Sequence, residues 1–373
     1  MNAAPPASPA ARPGSGRVKA KQKIVIFGLT VSSSWGNGHA TLWRALLRSL
    51  TSLGHEVTFF ERDVPYYAAH RDLHRGAGYE LLLYRTWADA LPLAEDALAD
   101  ADVAVVTSYC PDANLATELI LSKSHLLHVF YDLDTPVTLD RLDAGERVEY
   151  LPPDAFARFD LVLSFTGGRA LDELRTRLGA RRAVPLYGSV DAGAHHPVAP
   201  HPRYVSDLSY LGTYAADRQE GVERLFLGAA RALPEKRFVV GGSQYPSEFP
   251  WSDNIWFFQH VPPPEHPAFY CSSNVTLNVT RGAMAKRGYC PSGRLFEAAA
   301  CGTPILSDTF DGLDTFFEPG REILLARTTD EAIDALQRPR DELAAIGTAA
   351  RTRALAEHTS DVRAQQMIEA FEN

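Results

Sequence analysis

The feature that most restricts this chain is an alternation that runs, stops and then starts again. Short β-branched strands take turns with longer segments of helical periodicity, the pattern of parallel βαβ units. Lys23 to Leu29 reads as a buried strand, and a Gly- and Ser-rich loop follows it. Leu42, Leu46, Leu50 and Leu53 then recur at helical spacing, Gly54 caps the helix, and His55 to Phe60 is the next strand. Further strands are expected at 103–106, 126–131, 161–165 and 183–186, with helices between most of them. Around residues 192–203 the pattern breaks in a Pro- and His-rich stretch that suits a linker. It resumes with strands expected at 208–211, 237–240, 255–258, 275–279 and 304–307, and ends in a helical stretch from about residue 329 to 373. Two doubly wound α/β domains facing each other across a cleft accommodate this order, and ligands then belong at the carboxyl ends of the strands.

The bulk figures agree. A length of 373 residues suits two domains, and 45% apolar with 22% charged residues can supply two cores. A net charge of -9 argues against non-specific nucleic-acid binding, which depends on clustered positive charge. Cys110, Cys271, Cys290 and Cys301 show no metal-ligand spacing and read as reduced thiols of a cytoplasmic protein. Residues 1–22 read as a disordered tail with no secretory h-region. No apolar run is long enough to span a membrane. The domains expected are therefore 23–196, 204–358 and a terminal helix, 359–373, that packs back on the first domain. Oligomeric state is not legible.

The richest segment is Tyr289 to Asp308, YCPSGRLFEAAACGTPILSD. Ser292 reads as the N-cap of a helix that Gly302 and Pro304 terminate, and a strand follows. Ser292, Gly293 and Arg294 thus set backbone N–H groups and a guanidinium at a helix N-terminus, which favours an anion such as a diphosphate. One turn on, Glu297 has acceptor oxygens for a ribose diol. The competing reading is a plain i, i+3 ion pair between Arg294 and Glu297 on a helix surface.

This segment resembles the donor-binding motif of GT-B glycosyltransferases, in particular the CgeB-like, glycosyl-transferase-group-1 families. The shared run is Ser292, Arg294, Glu297 and Cys301-Gly-Thr-Pro304, and the resemblance extends from about residue 23 to 370. Leu186 to Asp191 resembles the exit from the N-terminal domain, and Leu211 to Arg218 the glycine loop that opens the C-terminal one. The resemblance implies a metal-independent transfer from a nucleoside-diphosphate sugar, used as co-substrate with no separate cofactor. It implies a donor site of Gly212, Arg218, His260, Ser292, Gly293, Arg294 and Glu297. It also implies that Lys286 and Arg287 are either further diphosphate cations or ordinary surface charges. One departure stands out: many retaining relatives place a glutamate eight positions before the ribose glutamate, and here Tyr289 occupies that position. Retention of anomeric configuration is the expectation.

In the N-terminal half, Ser32 to His39 (SSSWGNGH) follows the first strand, and its glycines allow close backbone approach to a ligand. It is not GxGxxG, and Glu61 is a poor match for the acidic ribose partner of a dinucleotide site. If transfer inverts the anomeric centre, His39 at the helix start is the first choice for the base, with Gly38 beside it; if it retains, His39 only binds, and the competing reading is a helix-start histidine with a structural hydrogen bond. Asp132 and Asp134 of Tyr131-Asp-Leu-Asp-Thr-Pro136 are read as acceptor-binding or basic carboxylates rather than a metal-binding DxD, or else as turn aspartates before Pro136. Gly167 and Gly168 are expected on the cleft floor. Tyr66, Tyr67 and the aromatics from Tyr79 to Trp87 are read as core, with acceptor stacking as the alternative. No metal site is expected: His195 and His196 fall in the linker and no H-x-x-x-H with a carboxylate appears. Two other functions fit the same fold class, a nucleotide-sugar 2-epimerase and a non-catalytic sugar-nucleotide binding protein.

Overall fold

The computed structural model describes residues 21–35 and 38–373. The tail reading and the Gly36-Asn37 pair of the first loop therefore lie outside the described residues, Lys21 and Gln22 excepted.

The first sheet has seven strands: β1 (Lys23–Gly28), β2 (Glu56–Arg62), β3 (Glu80–Tyr84), β4 (Val103–Thr107), β5 (Leu127–Asp132), β6 (Leu161–Ser164) and β7 (Ala183–Pro185). The second has six: β8 (Ser206–Leu211), β9 (Phe238–Gly241), β10 (Ile255–Phe258), β11 (Ser273–Asn278), β12 (Ile305–Ser307) and β13 (Leu324–Leu325). All strand pairs within both sheets are parallel. The strand orders are β3-β2-β1-β4-β5-β6-β7 and β10-β9-β8-β11-β12-β13. Each order reverses at its first strand, so each sheet opens a crevice there, between β1 and β4 in one and between β8 and β11 in the other.

Parallel strands are covered by helices on both faces, which is why β1 and β4 read as unbroken apolar runs. Two strands escaped the sequence reading. β3 was hidden because ELLLY sits among aromatics that resemble a helix face, and β13 is only two residues long. The final helical stretch is three helices, Thr329–Leu336, Arg340–Glu357 and Ser360–Glu372, because Pro339 and Thr359 each stand at an N-cap. Thr359 accepts a hydrogen bond from the Val362 N–H at 3.3 Å. The last helix crosses to the first domain: Ala364, Met367, Ile368 and Phe371 share a core with Ile24, Trp43, Leu47 and Leu50. Among the described residues no helix is long and apolar enough to cross a membrane.

Candidate functional site

The carboxyl edge of the second sheet is organised by Arg294. Its Nε donates to the Leu211 carbonyl at the end of β8, and Nη1 donates to Asn278 Oδ1 at the end of β11, at 3.0 Å. The guanidinium thus spans the two strands that flank the crevice, and it lies over the Tyr210 ring. Gly212 is required here, since a Cβ on it would sit 2.7 Å from the Arg294 guanidinium. Arg294 and Glu297 do not form the surface pair that their spacing allows: Glu297 instead accepts from the Tyr270 hydroxyl at 3.1 Å. Ser292 holds the N-cap position of the helix Gly293–Ala300, but its side chain makes no capping bond. A Cβ on Gly293 would meet nothing within 4 Å, so the N-terminus of that helix is open to a ligand.

Arg218 lies at the end of a 3-10 turn after β8 and donates to the Thr213 carbonyl at 3.2 Å. Its Nε is buried without a partner among the described residues. Burial holds the Arg218 guanidinium below its ordinary pKa, and Arg294 and Arg281 add like-charge repulsion. Three arginines therefore converge on one crevice, an arrangement that can hold an anion. Arg281, which the sequence reading missed, follows β11 and reaches Asp217 at 3.2 Å and, across the domain boundary, Asp134 at 3.9 Å. Nothing in its local sequence marks it; only the strand order brings it in.

Lys286 and Arg287 do not join that cluster. Arg287 is buried and bonds three carboxylates of the first domain, Asp140 at 3.0 Å, Asp143 at 2.5 Å and Glu173. Lys286 reaches Asp140 at 3.5 Å. Arg287 clasps the two domains, which is neither of the two roles read from sequence, whereas Lys286 is an exposed charge, as the second reading has it. The glycines of the 165–169 loop have a related use. A Cβ on Gly167 would fall 2.0 Å from the Tyr187 hydroxyl, and one on Gly168, at φ 58°, 2.4 Å from the Tyr289 ring. Tyr289 is itself wedged between Gly168 and Gly312, so these glycines receive side chains of their own chain.

On the first domain, Glu61 is buried and accepts from Thr30 Oγ1, Ser32 Oγ and the Val31 and Ser32 N–H groups at 2.5 to 2.9 Å. Those bonds saturate it, which removes it as a dinucleotide ribose ligand and gives it the task of shaping the loop that leads to His39. Gly38 is exposed at the N-cap, and His39 is the first residue of the helix His39–Ser52. Burial lowers the His39 pKa, and Asp134 partly opposes that. Tyr109, from the loop after β4, packs its ring 5.6 Å from His39 and donates to Asp134 Oδ2 at 2.9 Å. Tyr109 is held at φ 63°, a costly conformation for a side-chain-bearing residue. Asp134 occupies an N-cap position without capping, and its Oδ1 is buried with no partner among the described residues. Asp132 lies deeper, fully buried, with its pKa pushed up to about 6 by burial. Its Oδ1 accepts from the Asp134 N–H and from Thr138, both at 3.1 Å, so it supports Asp134 from behind. His260, in the loop after β10, faces the ring of Trp35 of the first domain at 4.8 Å, and burial lowers its pKa.

Residues 218–369 match the family described as glycosyl transferase-like. No curated protein matches the chain. Among solved structures, the sucrose-phosphate synthase of Thermosynechococcus elongatus aligns at a TM-score of 0.66 with 15% identity, over 94% of this chain and 98% of that one. Anabaena HepE, solved with UDP and glucose, aligns at 0.66 with 12% identity over 94% and 99%. An alpha-glucosyltransferase, solved with UDP-glucose and DNA containing an abasic site, aligns at 0.71 with 13% identity over 95% and 100%. The chain carries the GT-B glycosyltransferase fold. In this GT-B frame the arginine cluster belongs to the C-terminal domain and the His39, Tyr109 and Asp134 group to the N-terminal one, and Arg281 links them.

Proposed function

We propose that the protein transfers a sugar from a UDP-linked donor held by the C-terminal domain to an acceptor that approaches from the N-terminal domain. The observation that carries this reading is the convergence of Arg218, Arg281 and Arg294 at the crevice between β8 and β11, with the Arg218 Nε buried and without a partner among the described residues. Cleaving the bond between the sugar C1 and the phosphate oxygen loads negative charge on the departing diphosphate. Fixed cations and the open N-terminus at Gly293 lower the cost of that charge, so the transfer needs no metal and no further cofactor. Ser292, Gly293 and Gly212 frame the diphosphate, Glu297 takes the ribose diol, and His260 lies where the base would rest. UDP is chosen because the HepE and alpha-glucosyltransferase structures were solved with it or its glucose conjugate.

On the acceptor side His39 and Asp134 offer the polar groups, while Asp132 is a positioning residue. We assign a retaining course: the acceptor oxygen bonds C1 on the face that the phosphate leaves, and its proton passes to the phosphate oxygen, so His39 binds rather than abstracts. The Ser292, Arg294, Glu297 and Cys301 to Pro304 run supports placement in the CgeB-like branch. The net charge of -9 favours a non-nucleic-acid acceptor, although one GT-B neighbour was solved with DNA.

A thermal-shift panel of UDP, GDP, dTDP, ADP and CDP on the wild type and Arg218→Ala tests the donor half. Selective stabilisation by UDP that Arg218→Ala abolishes is expected. Equal or absent stabilisation across the panel would sink the reading.

A further inference from the structure

Behind Glu297 lies a second constellation that the transfer reading leaves unused. His195 is on the segment that joins the domains, His266 begins the helix His266–Cys271, and Glu297 is in the helix after Ser292. One side-chain atom from each lies within 4.8 Å of the others. His195 is buried, and among the described residues neither of its ring nitrogens has a hydrogen-bond partner. The His266 Nε2 meets the Val261 carbonyl at 3.1 Å, and because a carbonyl only accepts, that nitrogen carries the proton. The His266 Nδ1 is therefore left with its lone pair, buried, without a hydrogen-bond partner among the described residues, and 3.9 Å from Glu297 Oε2.

Buried imidazole nitrogens left without hydrogen bonds beside a carboxylate are costly, and a cation held between them would remove that cost. A histidine that donates its far N–H to a backbone carbonyl while its near nitrogen faces a carboxylate is oriented as metal-binding histidines are. Two imidazoles and one carboxylate suit a borderline ion of the zinc class. In a tetrahedral site with bonds of about 2.1 Å, ligand atoms stand about 3.4 Å apart. Binding would draw the three atoms, which lie within 4.8 Å of one another, closer to that spacing.

We propose that His195, His266 and Glu297 bind one divalent transition-metal ion, completed by water, and that its occupancy withdraws Glu297 from the nucleotide. The second half rests on the ribose role given to Glu297 above; the first half does not. Because the ligands are a linker residue and two helices of the C-terminal domain, the ion would act as an antagonist of donor binding, with no part in the transfer itself. Their wide separation in the chain explains why no spacing motif announced them.

The test titrates cobalt(II) chloride into the chelator-stripped full-length protein and follows visible absorption, in which a four-coordinate site is intense and a six-coordinate one faint. One equivalent giving intense bands, bleached by zinc and weakened at least tenfold in affinity by His195→Gln and by His266→Gln, is the expected result. Melting curves of both variants without metal verify that they fold. Absent bands, or bands that both variants keep, overturn the site. Calorimetry of UDP with chelator, then with one equivalent of zinc, should show at least tenfold weaker binding with zinc. Unchanged UDP affinity in zinc-loaded protein overturns the antagonism. If UDP fails to bind even with chelator, the donor reading fails and the cobalt result stands; if UDP binds and cobalt does not, the reverse holds.

Discussion

Replacing Glu297 by glutamine isolates the contribution of one charge to nucleotide recognition. The side chain is 16% exposed, so water compensates little for what is lost. The amide keeps the volume of the carboxylate, and its NH2 can turn to the His266 Nδ1, which spares the local packing. A ribose diol would donate two hydrogen bonds to the carboxylate, each worth about 1.5–3 kcal/mol to a charged acceptor. Glutamine retains one neutral acceptor worth about 1 kcal/mol. The net loss is about 2–5 kcal/mol, or about 30- to 4,000-fold in Kd. Calorimetry with chelator present, using UDP and its 2′,3′-dideoxy analogue on both proteins, gives a double-mutant cycle. The dideoxy analogue should bind both proteins with nearly equal affinity, because the partner of the carboxylate is already gone. Additive effects within about 0.5 kcal/mol would show that Glu297 does not meet the diol, and the ribose assignment would be wrong.

Arg287→Ala should loosen the interdomain clasp. Its three carboxylate partners are 25 to 39% exposed, which places the loss nearer about 1–2 kcal/mol than the figure for a fully buried pair; a first melting transition lowered by several degrees, and insensitive to added salt where the wild type is sensitive, is the readout. Asp132 has its folded-state pKa raised from 3.8 to about 6, so the stability linked to its proton is present below about pH 4 and lost as pH rises through 6. Asp132→Asn should accordingly stabilise the fold at pH 7.5 by on the order of 1–3 kcal/mol, read as a higher melting temperature, and the gain should vanish at pH 4; a gain that persists at pH 4 would mean that its charge is not the cause. Gly168→Ala combines a left-handed φ of 58° with a Cβ 2.4 Å from the Tyr289 ring and should cost at least about 2 kcal/mol. Adding Tyr289→Ala should recover the clash but not the backbone strain, and a melting curve of the double variant that matches Gly168→Ala alone would refute the contact.

What the sequence determined by itself was the part written in local periodicity. Runs such as KIVIFG and VAVVT, short, β-branched and bounded by turns, read as buried strands, and the Ser292 to Pro304 run carries its own turn, helix and stop. Tertiary structure decided which loops meet. Strand order, not spacing, brings Arg281 to Asp134 and Arg218 to Arg294, and hands Arg287 to three carboxylates of the other domain. It also turned Gly167 and Gly168 into sockets for Tyr187 and Tyr289, and gathered His195, His266 and Glu297 from distant stretches. The physical reason is range. Propensity and capping act over a few residues, whereas charge pairing and close packing act through space between residues that only the crossover connections bring together.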